Sequence, residues 1–599
     1  MQALKSTRAY KSLGCLPTKT AGTYRFAVWA PNAKFVSLLG DFNGWDPFAN
    51  PMTWNEGGVW TAELSGLSDG MAYKYAIQPK DGVIFLKADP FARYAETGPA
   101  TASKVWNIEG YAWSDRDWLQ KRAKWNAFAA PMSIYELHLG SWKLPEDGAL
   151  PNYRTIAEAL CAYVKDMGFT HVELMPLTEY PYDGSWGYQT TGYFAPTSRY
   201  GTPQDFMYLV DHLHKSGIGV ILDWVGAHFP RDAHGLARFD GTPLFEGSDP
   251  RMAAHPEWGT LIFDYARPEI KNFLISSAEF FFDYYHIDGL RIDAVSSMLY
   301  LDYGRKNGDF TRNKFGGNIN LGAVDMLREL NASILSDFPG AVTIAEESTA
   351  YPLVTAPPYD GGLGFSFKWD MGFMHDTLNY FAMDPLFRKG SHEKLTFSMM
   401  YAFSENFVLP FSHDEVVHGK RSMLDKMFGG YAQKFATLKA LYGYMYAHPG
   451  KKLLFMGCEF GQFIEWNYKQ QLDWLLLDYP SHEGLRAYVR ALNRFYARRP
   501  EFYEADKSWE GFAWKSVDER ERSSIAFLRR DKSGAEVLCA FNFTPVPQNI
   551  NVPLPKGKHL RILLSSAEER FGGGGERHSY ANGLLTLPGM CAMYFSVNG

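Results

Sequence analysis

The spacing of hydrophobic positions changes twice along the chain. From about Gly22 to Ile108, the runs TYRFAVWA, KFVSLLGDFNGWDP, GVWTAELSG and AYKYAIQ alternate apolar and polar residues and are broken by turn residues. That period of two predicts an all-β module of sandwich type. A Trp- and charge-rich stretch, Gly110 to Pro131, reads as a connector. From Met132 onward, strands alternate with helices, and eight strand candidates stand out: SIYELHLGSW, THVELMPLTEY, GVILDWVGAHF, GLRIDAV, AVTIAEEST, FSFKWDMGF, NFVLPFSHDE and KKLLFMGCEF. In the first intervening helix, Thr155 and Glu158 have capping-box spacing, Leu160, Tyr163, Val164 and Met167 form an apolar stripe, and Gly168 is the stop. A second helix opens on Thr202 and Pro203, a cap followed by a first-turn proline. Eight strands alternating with helices predict an α/β fold, a closed (β/α)₈ barrel of TIM type. After the helix HEGLRAYVRALNRFY, the runs SIAFLRR, EVLCAFNF, HLRILLSS and MCAMYFSV return to the strand period and predict a C-terminal all-β domain, a second β-sandwich. The expected division is residues 1–110, 111–499 and 500–599. The run FGGGG, Phe571 to Gly575, has no following Lys-Ser/Thr and no helix signal, so it reads as a flexible hairpin tip rather than a phosphate loop.

Four predicted strand ends carry acids where an apolar core strand should be closing: DWVGAH (Asp223 to His228), GLRIDAV (Gly289 to Val295), AEEST (Ala345 to Thr349) and SHDEVVHGK (Ser412 to Lys420). Burying a carboxylate is costly unless it is paired or used. In GLRIDAV the strand period puts Leu290, Ile292 and Ala294 on one face and Arg291 with Asp293 on the other, where the cation favours an ionised Asp293. One such pair can be purely structural. Four in one chain indicate a site, because catalysis in this barrel type sits at the C-terminal strand ends, which bring distant segments together. Two long interruptions, Phe229 to Arg267 and Ser296 to Gly322, are expected to project from that face as substrate-contacting loops.

The net charge of −6, without long runs of one sign, offers no footprint for nucleic acid or an anionic membrane, so the expected partner is neutral. Aromatics make up 16% of residues, which suits stacking on flat apolar faces as well as a large aromatic core. The five cysteines are scattered and form no C-x-x-C pair, which disfavours a disulfide frame or a zinc site. The start, MQALKSTRAYKSLG, lacks an apolar signal core, and no apolar stretch of about 18 residues occurs. The expectation is a soluble, cytoplasmic protein, monomeric and without a cofactor. Asp223, His228, Asp293, Glu346, His413 and Asp414 could in principle ligate a divalent ion, but a cation, Arg291, shares the face of Asp293. Acids with Arg and His but no nucleotide fingerprint point to sugar chemistry, in which two carboxyls flank a glycosidic bond.

DWVGAH, GLRIDAV, AEEST and FSHDEVVHGK resemble the four signature regions of the α-amylase superfamily, retaining enzymes acting on α-glucans. SHDEVVHGK, AEEST, WGYQTTGYFAPTSRYGTPQDF (Trp186 to Phe206) and EWNYKQQLDWLLLDYPSHEG (Glu465 to Gly484) resemble 1,4-α-glucan branching enzymes more specifically. VWAPNAKFVSLLGDFNGW (Val28 to Trp45) is similar to the glycan-binding β-sandwich of that family, with Trp29, Trp45 and Trp60 as candidate stacking residues, at least one or two of which core packing would claim. The resemblance implies a transglycosylase that cleaves an α-1,4-glucan and forms α-1,6 branches. It implies Asp293 as nucleophile, Glu346 as general acid/base and Asp414 as the third carboxylate. Arg291 would hold Asp293 ionised, Asp223, His228 and His413 would bind sugar hydroxyls, and Tyr188 would stack beneath the ring. Spacing alone says only that Glu346 and Glu347 face opposite ways. Gly226 replaces a usual Pro, which predicts a looser loop before His228, and Cys458 replaces a common Gly. Two rivals remain: a hydrolase of the same superfamily, trehalose-releasing or debranching, and a catalytically dead glucan-binding protein.

Overall fold

A computed structural model describes residues 6–306, 308–555 and 557–598. All eight barrel candidates are strands: β1 (Ser133–Leu137), β2 (His171–Leu174), β3 (Gly219–Trp224), β4 (Gly289–Ile292), β5 (Val342–Ala345), β6 (Phe367–Trp369), β7 (Phe407–Phe411) and β8 (Lys451–Phe455). They pair in parallel in that order and close on themselves, β8 against β1. Side chains alternate as a strand must. Val220, Leu222, Leu290 and Ile292 join the helix-facing core, whereas Ile134, Ile221, Ile344, Phe367, Val408 and Leu453 fill the barrel floor over Met132 and Ala127. The interior has no room to spare. A Cβ on Gly289 would come within 2.7 Å of Val342 and 3.3 Å of Ile221, so only glycine fits there. Interior positions nearer the C-terminal rim turn polar, Glu136, Glu173, Asp223 and Arg291 in β1 to β4, and so the floor is apolar and the mouth is charged.

The two marked helices form, one with a different cap. Asn152, not Thr155, caps the helix Tyr153–Met167, its side chain accepting from Arg154 N, because the first helical turn starts three residues earlier than the capping-box spacing suggests. Gly168 ends it in the left-handed region at φ 77°. Thr202 caps Pro203–Lys215, with Asp205 completing the capping box.

Before the barrel, the strands 14–17, 24–29, 59–64 and 53–55 form one sheet, and 50–51, 33–40, 72–79 and 85–87, with 103–104, form a second. Trp29 and Trp60 are buried there, Trp60 donating to Ala30 O, so core packing claims both, while Trp45 is exposed. After the barrel, the five-stranded sheet 512–516, 524–530, 536–542, 591–598 and 559–565 is joined by a three-stranded one. FGGGG is not a free hairpin tip. Phe571 is buried, and its carbonyl accepts from Lys439 on the helix Tyr431–Ala447. The first long interruption is ordered and docks on the N-terminal module, where Lys87 Nζ donates to Ala233 O (2.7 Å), Gly235 O (3.1 Å) and Ala237 O (2.7 Å). Arg305 of the second interruption donates to Ala254 O of the first. Among the described residues, no helix is long and apolar enough to cross a membrane.

Candidate active site

Arg291 is the hub of the barrel mouth. Its position on β4 pairs in register with Asp223 on β3, which puts the two side chains side by side on the inner face. Nη1 lies 2.7 and 2.6 Å from the two Asp223 oxygens and 3.0 Å from Asp293 Oδ1, and Nη2 lies 2.9 Å from Glu346 Oε2. Its guanidinium carbon sits 4.4 Å from the centroid of Trp369 on β6, a cation–π contact beneath the fork. Three strand ends thus deliver three carboxylates to one cation.

The turn after β4 ties Glu346 to the backbone on either side of Asp293. Ala294 takes a left-handed conformation at φ 50°, uncommon without glycine, and opens the helix Val295–Leu299. Ala294 N donates to Glu346 Oε2 (2.8 Å), Val295 N to Glu346 O (2.9 Å), and Glu346 N to Ile292 O (3.0 Å). The neighbouring Glu347 points the other way. It is fully buried against Lys368 Nζ (2.6 Å), Ser296 and Thr349, and so is tied up in an internal ion pair.

On the far side of Arg291, Tyr188 donates to Asp223 Oδ2 (2.6 Å), and its ring stacks on His413 at 5.5 Å between centroids. His413 heads a 3₁₀ turn, His413–Val416, just past β7. Its Nδ1 is 2.5 Å from Glu136 Oε1, its backbone N–H reaches Glu136 Oε2 (2.9 Å), and Nε2 faces Asp414 Oδ1 at 3.4 Å. Burial disfavours the imidazolium, but Asp414 and Glu136 outweigh it and push His413 up to about 9. Burial likewise opposes charge on Asp414, and His413, Arg291, Lys420 and His418 outweigh it, holding that carboxyl below its usual range.

Tyr188, Asp223, Arg291, Asp293, Glu346, His413 and Asp414 therefore form one connected cluster. His228 stands beside it: its ring packs on Trp258 and His255, burial lowers it to about 4, and its Nδ1 is buried with no hydrogen-bond partner. The loop carrying it is not loosened by Gly226. Tyr265 OH donates to the carbonyls of Gly226 (3.0 Å) and Ala227 (2.9 Å), and the Trp224 ring occupies the place of a side chain at Gly226.

One electrostatic expectation fails. Arg291 does not by itself hold Asp293 ionised, because it is shared among Asp223, Asp293 and Glu346. Burial pushes Asp293 well above the carboxylate range; Arg291 opposes this, and the charges of Glu346, Asp223 and Asp414 add to it. The free site is short of positive charge. An oxocarbenium-like transition state supplies that charge, so the excess of carboxylates is suited to stabilising it.

Glu136 and Glu173 were not singled out from the sequence, although each is a lone acid inside an apolar run, the same signal that marked the other strand ends. Glu136 braces His413. Glu173, adjacent in register, has both oxygens buried without partners, and burial together with Glu136 pushes its carboxyl up.

The family model for carbohydrate-binding module 48 (isoamylase N-terminal domain) matches residues 12–92, that for the alpha amylase catalytic domain 151–238, and that for the alpha amylase C-terminal all-beta domain 514–598. The 1,4-alpha-glucan branching enzyme GlgB of Aquifex aeolicus is 55% identical over 618 residues, covering 99% of this chain and 97% of the relative. That of Aromatoleum aromaticum is 55% identical over 584 residues, covering 97% and 91%. A pullulanase from Paenibacillus barengoltzii, solved with maltohexaose and alpha-cyclodextrin, shares the fold at a TM-score of 0.75 and 18% identity, over 98% of this chain and 95% of that one.

Proposed function

The chain belongs to the 1,4-alpha-glucan branching enzyme family of the α-amylase superfamily, and on that premise we propose that Asp293 is its nucleophile, Glu346 its acid and base, and Asp414 the carboxylate that grips the strained ring. The reaction is a transglycosylation: an α-1,4-glucan chain is cut and its non-reducing part is moved to a 6-hydroxyl, making an α-1,6 branch.

In the first step an Asp293 oxygen attacks the anomeric carbon while the bond to the departing 4-oxygen breaks. Glu346 gives that oxygen its proton, which leaves a glycosyl ester on Asp293 and a carboxylate on Glu346. In the second step Glu346 takes the proton of an acceptor 6-hydroxyl, whose oxygen attacks the anomeric carbon and frees Asp293. Two inversions retain the α configuration, and such a pair works at a separation of about 5 Å. Tyr188 offers a ring to the apolar face of the sugar. Asp223, His228 and His413 bind hydroxyls, and Arg291 balances the carboxylates as charge moves among them.

The observation that carries this reading is Arg291 touching Asp223, Asp293 and Glu346 at once, with His413 and Asp414 across from them. The division into residues 1–110, 111–499 and 500–599 belongs to the same reading, as does an α-glucan as the neutral partner. A slow fluorinated maltosyl substrate tests the nucleophile. Peptide mapping is expected to find the sugar on the peptide containing Asp293 in the wild type and to find none in Asp293→Asn; a label on any other carboxylate would refute the assignment.

A further inference from the structure

The barrel mouth is not held by the barrel alone. The long segment Phe229 to Arg267 starts at His228 and folds back on itself, His228 and Phe229 pairing in register with Ile262 and Leu261. His228 is fixed in two ways. Its carbonyl accepts from Tyr193 OH (3.0 Å), a contact outside the segment. Its ring packs on Trp258 (5.1 Å between centroids) and His255 (5.8 Å), and both of those belong to the segment. A bridge between Ala254 and Leu261 sets them against the returning strand. The ring of His228 therefore stands where the segment stands.

The segment in turn is seated on the N-terminal module. Lys87 ends the strand Phe85–Lys87, is 3% exposed, and gives its three ammonium hydrogens to three backbone carbonyls of the segment, Ala233 O (2.7 Å), Gly235 O (3.1 Å) and Ala237 O (2.7 Å). Ala88 N donates to His234 O (2.8 Å). An ammonium in so dry a place is costly unless it is fully hydrogen-bonded. Burial lowers Lys87 to about 8, and the charge of Glu246, itself in the segment, opposes the shift. Three alternate carbonyls held from one point fix the path of the backbone just past His228. Further on, the buried Asp240 accepts from Asn32 N and Nδ2 (2.9 Å each), and Asn32 Nδ2 also reaches Thr242 Oγ1 (3.2 Å). The Trp29 ring meets Phe245 edge-on at 6.3 Å, and Phe245 O accepts from Asp264 N (2.9 Å) beside the returning strand. A continuous set of contacts thus runs from the module to the rings around His228.

We propose that Lys87 is a positioning residue for glucan transfer: by fixing the carbonyls of Ala233, Gly235 and Ala237 from the N-terminal module, it seats the segment whose Trp258 and His255 set the ring of His228 in the barrel mouth. The inference rests on the reading of His228 as a ligand of sugar hydroxyls given above. It adds a second duty to a module whose family model describes carbohydrate binding alone.

The test is a double-mutant cycle in the full-length protein: wild type, Lys87→Met, His228→Ala and the two combined, with Asn32→Ala taken through the same cycle. The α-1,6 linkages formed from amylose are counted per active site, and sites are titrated by covalent labelling with the slow fluorinated maltosyl substrate, so that a smaller folded fraction does not register. Lys87→Met is expected to lower kcat/KM per labelled site about tenfold, the scale of coupling between residues joined through packing, and to lower it no further once His228 is alanine. Asn32→Ala frees the segment at a second point and leaves the Lys87 side chain in place. It is expected to lower kcat/KM about threefold with the same dependence on His228, and it carries the test if Lys87→Met does not fold. Losses that persist undiminished in the His228→Ala background would overturn positioning through His228 and leave the sugar-binding reading standing. An unchanged kcat/KM in Lys87→Met, or in Asn32→Ala where that one alone folds, would overturn it as well. Wild-type kcat/KM in His228→Ala would overturn the sugar-binding reading and the proposal with it.

Discussion

At the residue scale, two adjacent glutamates have opposite fates. Glu346 retains 20% side-chain exposure and shares the guanidinium of Arg291, whereas Glu347 is buried in an ion pair with Lys368. Glu346→Gln is expected to lower kcat by roughly 10²–10⁴, the usual worth of a general acid/base, with the unfolding midpoint little changed. Glu347→Gln is expected to do the reverse: it strips a buried lysine of its counter-charge, a loss of roughly 3–5 kcal/mol, while protein that remains folded keeps its catalytic carboxyls. Kinetics and denaturation of the two variants together check this, and wild-type kcat in Glu346→Gln would refute it. Sequence spacing could say only that these two side chains diverge. Which one faces the substrate depends on Arg291 and Lys368 from other strands, and that is tertiary information. The same limit explains the misjudged Asp293 electrostatics, since a dipeptide-scale reading sees Arg291 beside Asp293 and not the two further carboxylates that compete for it.

At the scale of elements, the strands were the most legible part. Short apolar runs spaced by helices marked all eight barrel strands, because a parallel strand covered on both faces reads as a nearly continuous hydrophobic run that turns polar only at its end. Local turns were less legible. The helix starting at Tyr153 is capped by Asn152 although Thr155 and Glu158 carry the right spacing, because the packing of Tyr153 and Ile156 into the core pulls the first turn earlier. The segment around Gly226 shows the same override. The missing side chain does not slacken the loop; the Trp224 ring fills its place, 2.2 Å from where a Cβ would stand. Gly226→Ala is therefore expected to destabilise the protein by about 1–3 kcal/mol through overpacking, read as a lower denaturant midpoint. An unchanged midpoint would show that the Trp224 ring moves aside freely.

At the scale of the whole molecule, the changes in period separated three regions, but not how they meet. The first long interruption lies against the N-terminal module through Lys87, and through Asp240, which accepts from Asn32 N and Nδ2 (2.9 Å each). Those partners are some 150 to 210 residues apart, beyond the reach of any local pattern. The docking places His228 at the root of a braced segment. The chemistry assigned to the whole is transfer of a glucan segment to a sugar hydroxyl rather than to water. Proton NMR of amylose during incubation with the wild-type protein measures this directly, with reducing ends counted in the same samples. The account predicts α-1,6 anomeric signals that grow while the reducing-end count stays nearly constant, and neither change with Asp293→Asn. Reducing ends that rise without α-1,6 signals would contradict it and make the protein a hydrolase.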